Sequence, residues 1–150
     1  MRGLFAVGSE ISPSLLTAQE LEDGVEISVA HRNYSRLPDP VVHTRRMLFN
    51  SCTGELRCED SLVCAAEHHI ERFLHFDANV SVSLGAHQAE VQAGGSIFLV
   101  TWDEGTSVRV DAGWVSPGYG VCEPAPILTF TDVIRGSTIL TFVITSVKAL

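Results

Sequence analysis

The sequence predicts an all-β chain, an antiparallel β-sandwich with at most one or two short helices. Three observations lead there. β-branched and alternating segments recur along the chain, and turn residues punctuate them at roughly 8–12-residue spacing. Helical apolar periodicity is nearly absent.

The first candidate strand is 3–7. A short helix is expected over 15–21, because Thr17-x-x-Glu20 has the capping-box form and Gly24 suits a left-handed position beyond its end. Strands are then expected at 25–31, 41–49, 55–62, 67–76, 79–84, 88–92, 96–102, 107–111, 113–116, 126–131 and 137–147. Asp39-Pro40, Asn50 to Gly54, Asp77 to Asn79, Gly94-Gly95, Glu104-Gly105, Pro117-Gly118 and Arg135-Gly136 mark the turns. Thr138–Val147 is almost wholly β-branched and apolar, with no charge before Lys148. Such a strand is the expected edge for pairing with a second copy or a partner polypeptide. At 150 residues the chain is one domain, 1–150, and no stretch reads as a linker.

A net charge of −8 argues against nucleic acid and acidic membrane surfaces as partners. No apolar run approaches the ~18 residues of a membrane helix. An acidic polysaccharide stays open as a partner, since a local arginine cluster can grip uronate or sulfate; all basic residues but Lys148 are arginine. The N-terminus shows no signal peptide, so a cytoplasmic location is expected, or a periplasmic one if the true N-terminus lies upstream. Cys52, Cys58, Cys64 and Cys122 form no C-x-x-C pair, which argues against a zinc knuckle. Cys58, within an expected strand, and Cys64 are read as small hydrophobes with reduced thiols. No cofactor motif is present.

Chemistry-bearing side chains concentrate between His31 and His75. Read as a three-strand meander, this region pairs 41–49 with 55–62 and 55–62 with 67–76, through turns at 50–54 and 63–66. Position 45 then lies opposite 59 and 43 opposite 61, while 61 also faces 68. One face carries His43, Arg45, Glu59, His68 and Arg72; the other carries Asp60, His69 and Glu71. His43, Arg45, His68 and Arg72 are thus candidate polar or sugar contacts. Trp114 and Tyr119 are candidate stacking platforms for sugar rings. A metal set of His43, Asp60 and His69 is a weaker alternative, because adjacent His68 and His69 point to opposite faces of a strand. A serine hydrolase lacks its G-x-S-x-G elbow, and Gly94-Gly95 precedes a strand rather than the helix of a phosphate loop.

The order of motifs carries a resemblance. Val29-Ala30-His31-Arg32-Asn33-Tyr34-x-Arg36-Leu37 precedes Val42-His43-x-Arg45-Arg46 and Leu56-Arg57-Cys58-Glu59-Asp60. His68-His69-Ile70-Glu71-Arg72-Phe73-Leu74-His75-Phe76 and Gly113-Trp114-Val115-Ser116-x-x-Tyr119-Gly120-Val121 follow. Over about 25–147, after a lead-in of 1–24, this series resembles the C-terminal β-sheet portion of the heparinase II/III-like polysaccharide lyases. The resemblance implies a piece of a large sandwich that an α/α toroid precedes, in enzymes that cleave uronate polysaccharides by β-elimination. It also implies that the catalytic and metal-binding residues lie upstream, in the toroid and a His-Asn-Thr segment that this sequence lacks. No catalytic or metal residue is carried over. The expected function is support of acidic-polysaccharide binding or of β-elimination by a fuller enzyme, with no catalysis by this chain alone. A stand-alone carbohydrate-binding or assembly module is the alternative. A small metal-dependent jelly-roll enzyme rests only on the histidine cluster.

Overall fold

The computed structural model describes residues 13–147, so the candidate strand at 3–7 lies outside the described residues. β1 (Ser14–Leu21) and β2 (Gly24–His31) form a hairpin across Glu22-Asp23. The helix expected at 15–21 is therefore a strand. Pairing with β2 satisfies its backbone, whereas a helix would set Glu20, Glu22 and Asp23 against the negative end of its dipole. Gly24 is required where β2 meets the next strand, since a Cβ there would run into the Phe49 carbonyl.

After a 3₁₀ turn at Asn33–Arg36 come β3 (Val42–Asn50), β4 (Glu55–His75), β5 (Ser81–Leu84) and β6 (Gln88–Ala93). β7 (Ser96–Trp102), β8 (Ser107–Val115) and β9 (Glu123–Val147) complete the order. All pairings are antiparallel, in the order β1-β2-β3-β4-β9-β7-β6-β5, with β8 added beside β9.

Three expected breaks are absent. Residues 63–66 are no turn but part of β4, 107–115 is one strand, and β9 joins 126–131 to 137–147. β4 and β9 have 21 and 25 residues. Straight strands of that length would span roughly 70–80 Å, far beyond one small domain, so both bend.

The bend is built at one point. Val63 pairs with Ser137 and Glu67 with Arg135, which leaves Cys64, Ala65 and Ala66 opposite Gly136 alone. Gly136 has φ +76°, a backbone region open to glycine at no steric cost. Extra residues on one strand bend and twist the ladder.

Each long strand therefore serves two layers. The halves 55–63 and 137–147 lie in the large layer with β1–β3 and β5–β7. The halves 67–75 and 123–135 form the small layer with β8. Between the layers, Cys58, Val100 and Phe142 meet Leu128 and Phe130 in one buried cluster. Phe130 and Phe142 stack with centroids 5.4 Å apart, and Trp102 meets Phe130 edge-on at 5.9 Å. A second cluster, with Leu62, Cys64, Ile134 and Leu140, fills the bend. Both expected structural cysteines are thus buried free thiols.

The expected edge strand 138–147 is not at an edge over 142–147, which sit between β4 and β7; Ile139, before that stretch, is 61% exposed. Among the described residues the edges are β1, β5, β8 and the 67–75 half of β4.

Phe130 is fully buried, with aromatic partners Trp102 and Phe142 from the facing layer. Phe130→Ala is expected to cost about 3–5 kcal/mol, read as a lower urea midpoint. Val133→Ala, at a position 57% exposed on the same strand, should shift the midpoint by less than about 0.5 kcal/mol.

Candidate functional site

The site begins with register. β3 and β4 pair with Arg45 opposite Asp60 and His43 opposite Leu62, one residue from the register the sequence suggests. The turn explains the slip. Asn50 pairs with Glu55 across a four-residue loop, Asn50 Oδ1 accepts the Cys52 and Thr53 N–H groups at 2.9 Å, and Gly54 takes φ +69°. A one-residue shift exchanges faces. Arg45 therefore meets Asp60 rather than Glu59, and Glu59 turns to Arg46 (3.1 Å) and Arg57 (2.8 Å) on the opposite face. The expected facing of 61 and 68 does not exist, because both residues belong to β4.

Asp60 is completely buried and is the hub of the site. Arg45 grips it with two bonds, Nε to Oδ1 at 2.7 Å and Nη2 to Oδ2 at 2.9 Å. His43 Nε2 lies 2.7 Å from Oδ1. Arg72, beyond the bend, places Nη1 3.6 Å from Oδ2. Arg72 also donates Nη2 to Asp132 at 3.0 Å and lies over the Phe130 ring at 5.3 Å. Thr106 Oγ1 donates to the other Asp132 oxygen at 2.6 Å. Burial works against ionisation of Asp60, but the hydrogen bonds from His43 and Arg45 and their charges outweigh it. Its carboxyl is held well below the usual range.

The ionised carboxylate accepts, so a proton of His43 lies on Nε2. His43 Nδ1 lies 3.0 Å from His31 Nε2, and one of the two nitrogens donates to the other. His31 Nδ1 is buried without a hydrogen-bond partner, next to the Tyr34 ring at 5.2 Å. Burial, then the charges of His43 and Arg45, lower the His31 pKa from its ordinary 6.5.

This network forms part of the wall of a cleft of about 510 Å³ between β3 and the 67–75 half of β4. His69, Glu71, Phe73 and His75 line the cleft from the exposed face of that half-strand. Phe73 is 50% exposed, and its ring centroid is 6.2 Å from that of His75.

The structure joins three of the sequence candidates, His43, Arg45 and Arg72, through Asp60. His68 lines the same cleft but bonds Asp39 at 2.7 Å. His69 occupies the next position, paired with Val133, and makes no described contact with Asp60, whose oxygens are taken by Arg45 and His43. Trp114, 67% exposed near the end of β8, and Tyr119, fully exposed in the following loop, do not line the cleft. Sequence reasoning missed His31 as a relay member, Asp39 and Asp132. Asp39 was legible only as a turn residue, and Asp132 lies some seventy positions from Asp60 with no local signal.

Comparison with known proteins matches this architecture. The family model "Heparinase II/III-like, C-terminal" covers residues 1–147, and the chain belongs to that family. No curated protein sequence matches it. Among solved structures, heparan sulfate lyase HepC from Pedobacter heparinus superposes with a TM-score of 0.74 at 13% identity, over 91% of this chain and 22% of that one. A heparinase III structure gives 0.73 at 16% identity over 91% and 22%. Another heparinase III gives 0.74 at 12% over 93% and 22%. The chain thus spans about a fifth of the length of these solved structures.

Stability should fall with acid in two windows. His31 binds a proton less readily when folded, so its contribution is present above about pH 6.5 and is lost as pH falls below it. Asp60 is also depressed, so its contribution is full above its ordinary 3.8 and is lost at lower pH. Urea midpoints measured from pH 8 to 3 are expected to show both declines. Asp60→Asn should cost about 3–5 kcal/mol at neutral pH by stranding buried arginine charge, and should flatten the lower window.

Proposed function

We propose that the chain is the non-catalytic C-terminal β-sandwich portion of a polysaccharide lyase, supporting the binding of an acidic, uronate-bearing glycan. One observation carries the reading. The family match takes in nearly the whole chain, yet the chain equals only 22% of the solved lyases it superposes on. Those lyases include one named for heparan sulfate, which makes an acidic polysaccharide the natural ligand class.

The cleft supports a binding role over a chemical one. Proton transfer from carbon needs a base within hydrogen-bond reach of the substrate. Here Asp60 is fully enclosed and spends its oxygens on His43 and Arg45, and the free His31 Nδ1 is buried. The accessible groups on the rim are His69, Glu71, Phe73 and His75; Arg109 neutralises Glu71 at 2.9 Å, which leaves an aromatic face beside imidazole donors for a sugar ring bearing carboxylate. The same rim favours the second reading, a carbohydrate-binding module acting by itself.

Two measurements test this. With heparan sulfate as substrate, the pure chain should give no rise in the ultraviolet absorbance of unsaturated uronate; turnover abolished by His43→Ala would overturn the non-catalytic assignment. Affinity electrophoresis in heparan sulfate should retard the chain, and Phe73→Ala with His75→Ala should remove most of that retardation. Migration unaffected by the glycan would sink the binding role.

A further inference from the structure

We propose that Asp39, Cys64 and His68 form a divalent transition-metal site at the bend of β4, of a kind suited to zinc. It is separate from the Asp60 network and owes nothing to the glycan reading. One ligand atom from each residue, a carboxylate oxygen, a thiol sulfur and an imidazole nitrogen, lies within 4.8 Å of the other two.

The convergence is not a by-product of strand geometry. In a regular strand, residues four apart stand about 13 Å from each other. Cys64 and His68 are brought together because three residues of β4 crowd opposite Gly136. Asp39 joins from the segment before β3, more than twenty residues away. Its Oδ2 accepts the Ala65 and Ala66 N–H groups at 3.2 and 2.8 Å, which fixes the carboxylate against the bulge. The same oxygen lies 2.7 Å from His68 Nε2. Among the described contacts Oδ1 makes no hydrogen bond, so it can face an ion while Oδ2 holds the bulge. Cys64 is 8% exposed, and its sulfur reaches only the Gly136 carbonyl, at 3.6 Å.

The donor set narrows the metal. Thiolate and imidazole together select zinc and its analogues over magnesium or calcium. Three protein ligands leave a tetrahedral ion one open position. His68 lines the cleft, so the site borders it. On binding, the Cys64 thiol gives its proton to solvent, and His68 offers the metal an Nε2 lone pair, with any Nε2 proton passing to Nδ1 or to solvent.

The test is titration of the full chain with Co²⁺ and then Zn²⁺, in a Cys52→Ser, Cys122→Ser background that removes the two exposed thiols. Expected is a thiolate-to-cobalt charge-transfer band that saturates at one ion per chain and is bleached by Zn²⁺. The band should vanish in Cys64→Ser. His68→Gln should weaken affinity by more than the roughly tenfold lost on removing an outer-shell partner. Circular dichroism of each variant checks the fold, and Cys64→Ser keeps the side chain's size. A chain without the band, or a folded Cys64→Ser with the band intact, overturns the proposal. For any variant that does not fold, native mass spectrometry of the parent decides: one retained Zn²⁺ per chain supports the site, and none refutes it.

Discussion

Everything in this domain hangs on the pairing of β4 with β9. The two strands run alongside each other from one layer into the next, so the large and small layers are two ends of one ladder. That ladder must fold over, because neither strand could stay straight within a domain of this size. The fold-over point sets three residues of β4 against a single glycine on β9. Once it bends, Phe130 and Phe142, twelve residues apart on the same strand, stack face to face, and the core closes around them. A strand that packs against itself needs no long connection between the layers.

The Asp60 network ties the same two ends together with charge. Asp60 comes from the half of β4 before the bend, Arg72 from the half after it, and Asp132 from β9. A buried ion pair adds little net stability over well-packed apolar side chains, but separating one leaves a costly uncompensated charge. Slipping β3 by one residue would move Arg45 to the wrong face and leave Asp60 without its principal partner. The network thus selects a register that side-chain hydrophobicity leaves open, since neither face of this hairpin is cleanly apolar. Asp39 does similar work at the bend, where its carboxylate takes up two amide donors that the bulge removes from the ladder.

These demands shape the cleft. The 67–75 half of β4 has β9 on one side only, so its other edge is open. The polar groups deepest in the cleft are consumed in holding the layers together. What remains accessible is a rim of His69, Glu71, Phe73 and His75.

The sequence by itself determined the all-β class and most strand positions, because β-branched runs and turn residues are local signals. The motif order likewise sufficed for the family, which the match over residues 1–147 shows. Only the tertiary structure decided that 15–21 is a strand, that 63–66 is a bulge rather than a turn, and that Arg45 meets Asp60. The physical reason is common to all three. A short segment of small residues such as Val63-Cys64-Ala65-Ala66 has the same composition whether the chain reverses or merely bends there, and a partner strand settles which. Asp132 and His31 entered the site through contacts with residues distant in sequence, and no local pattern encodes a distance in space.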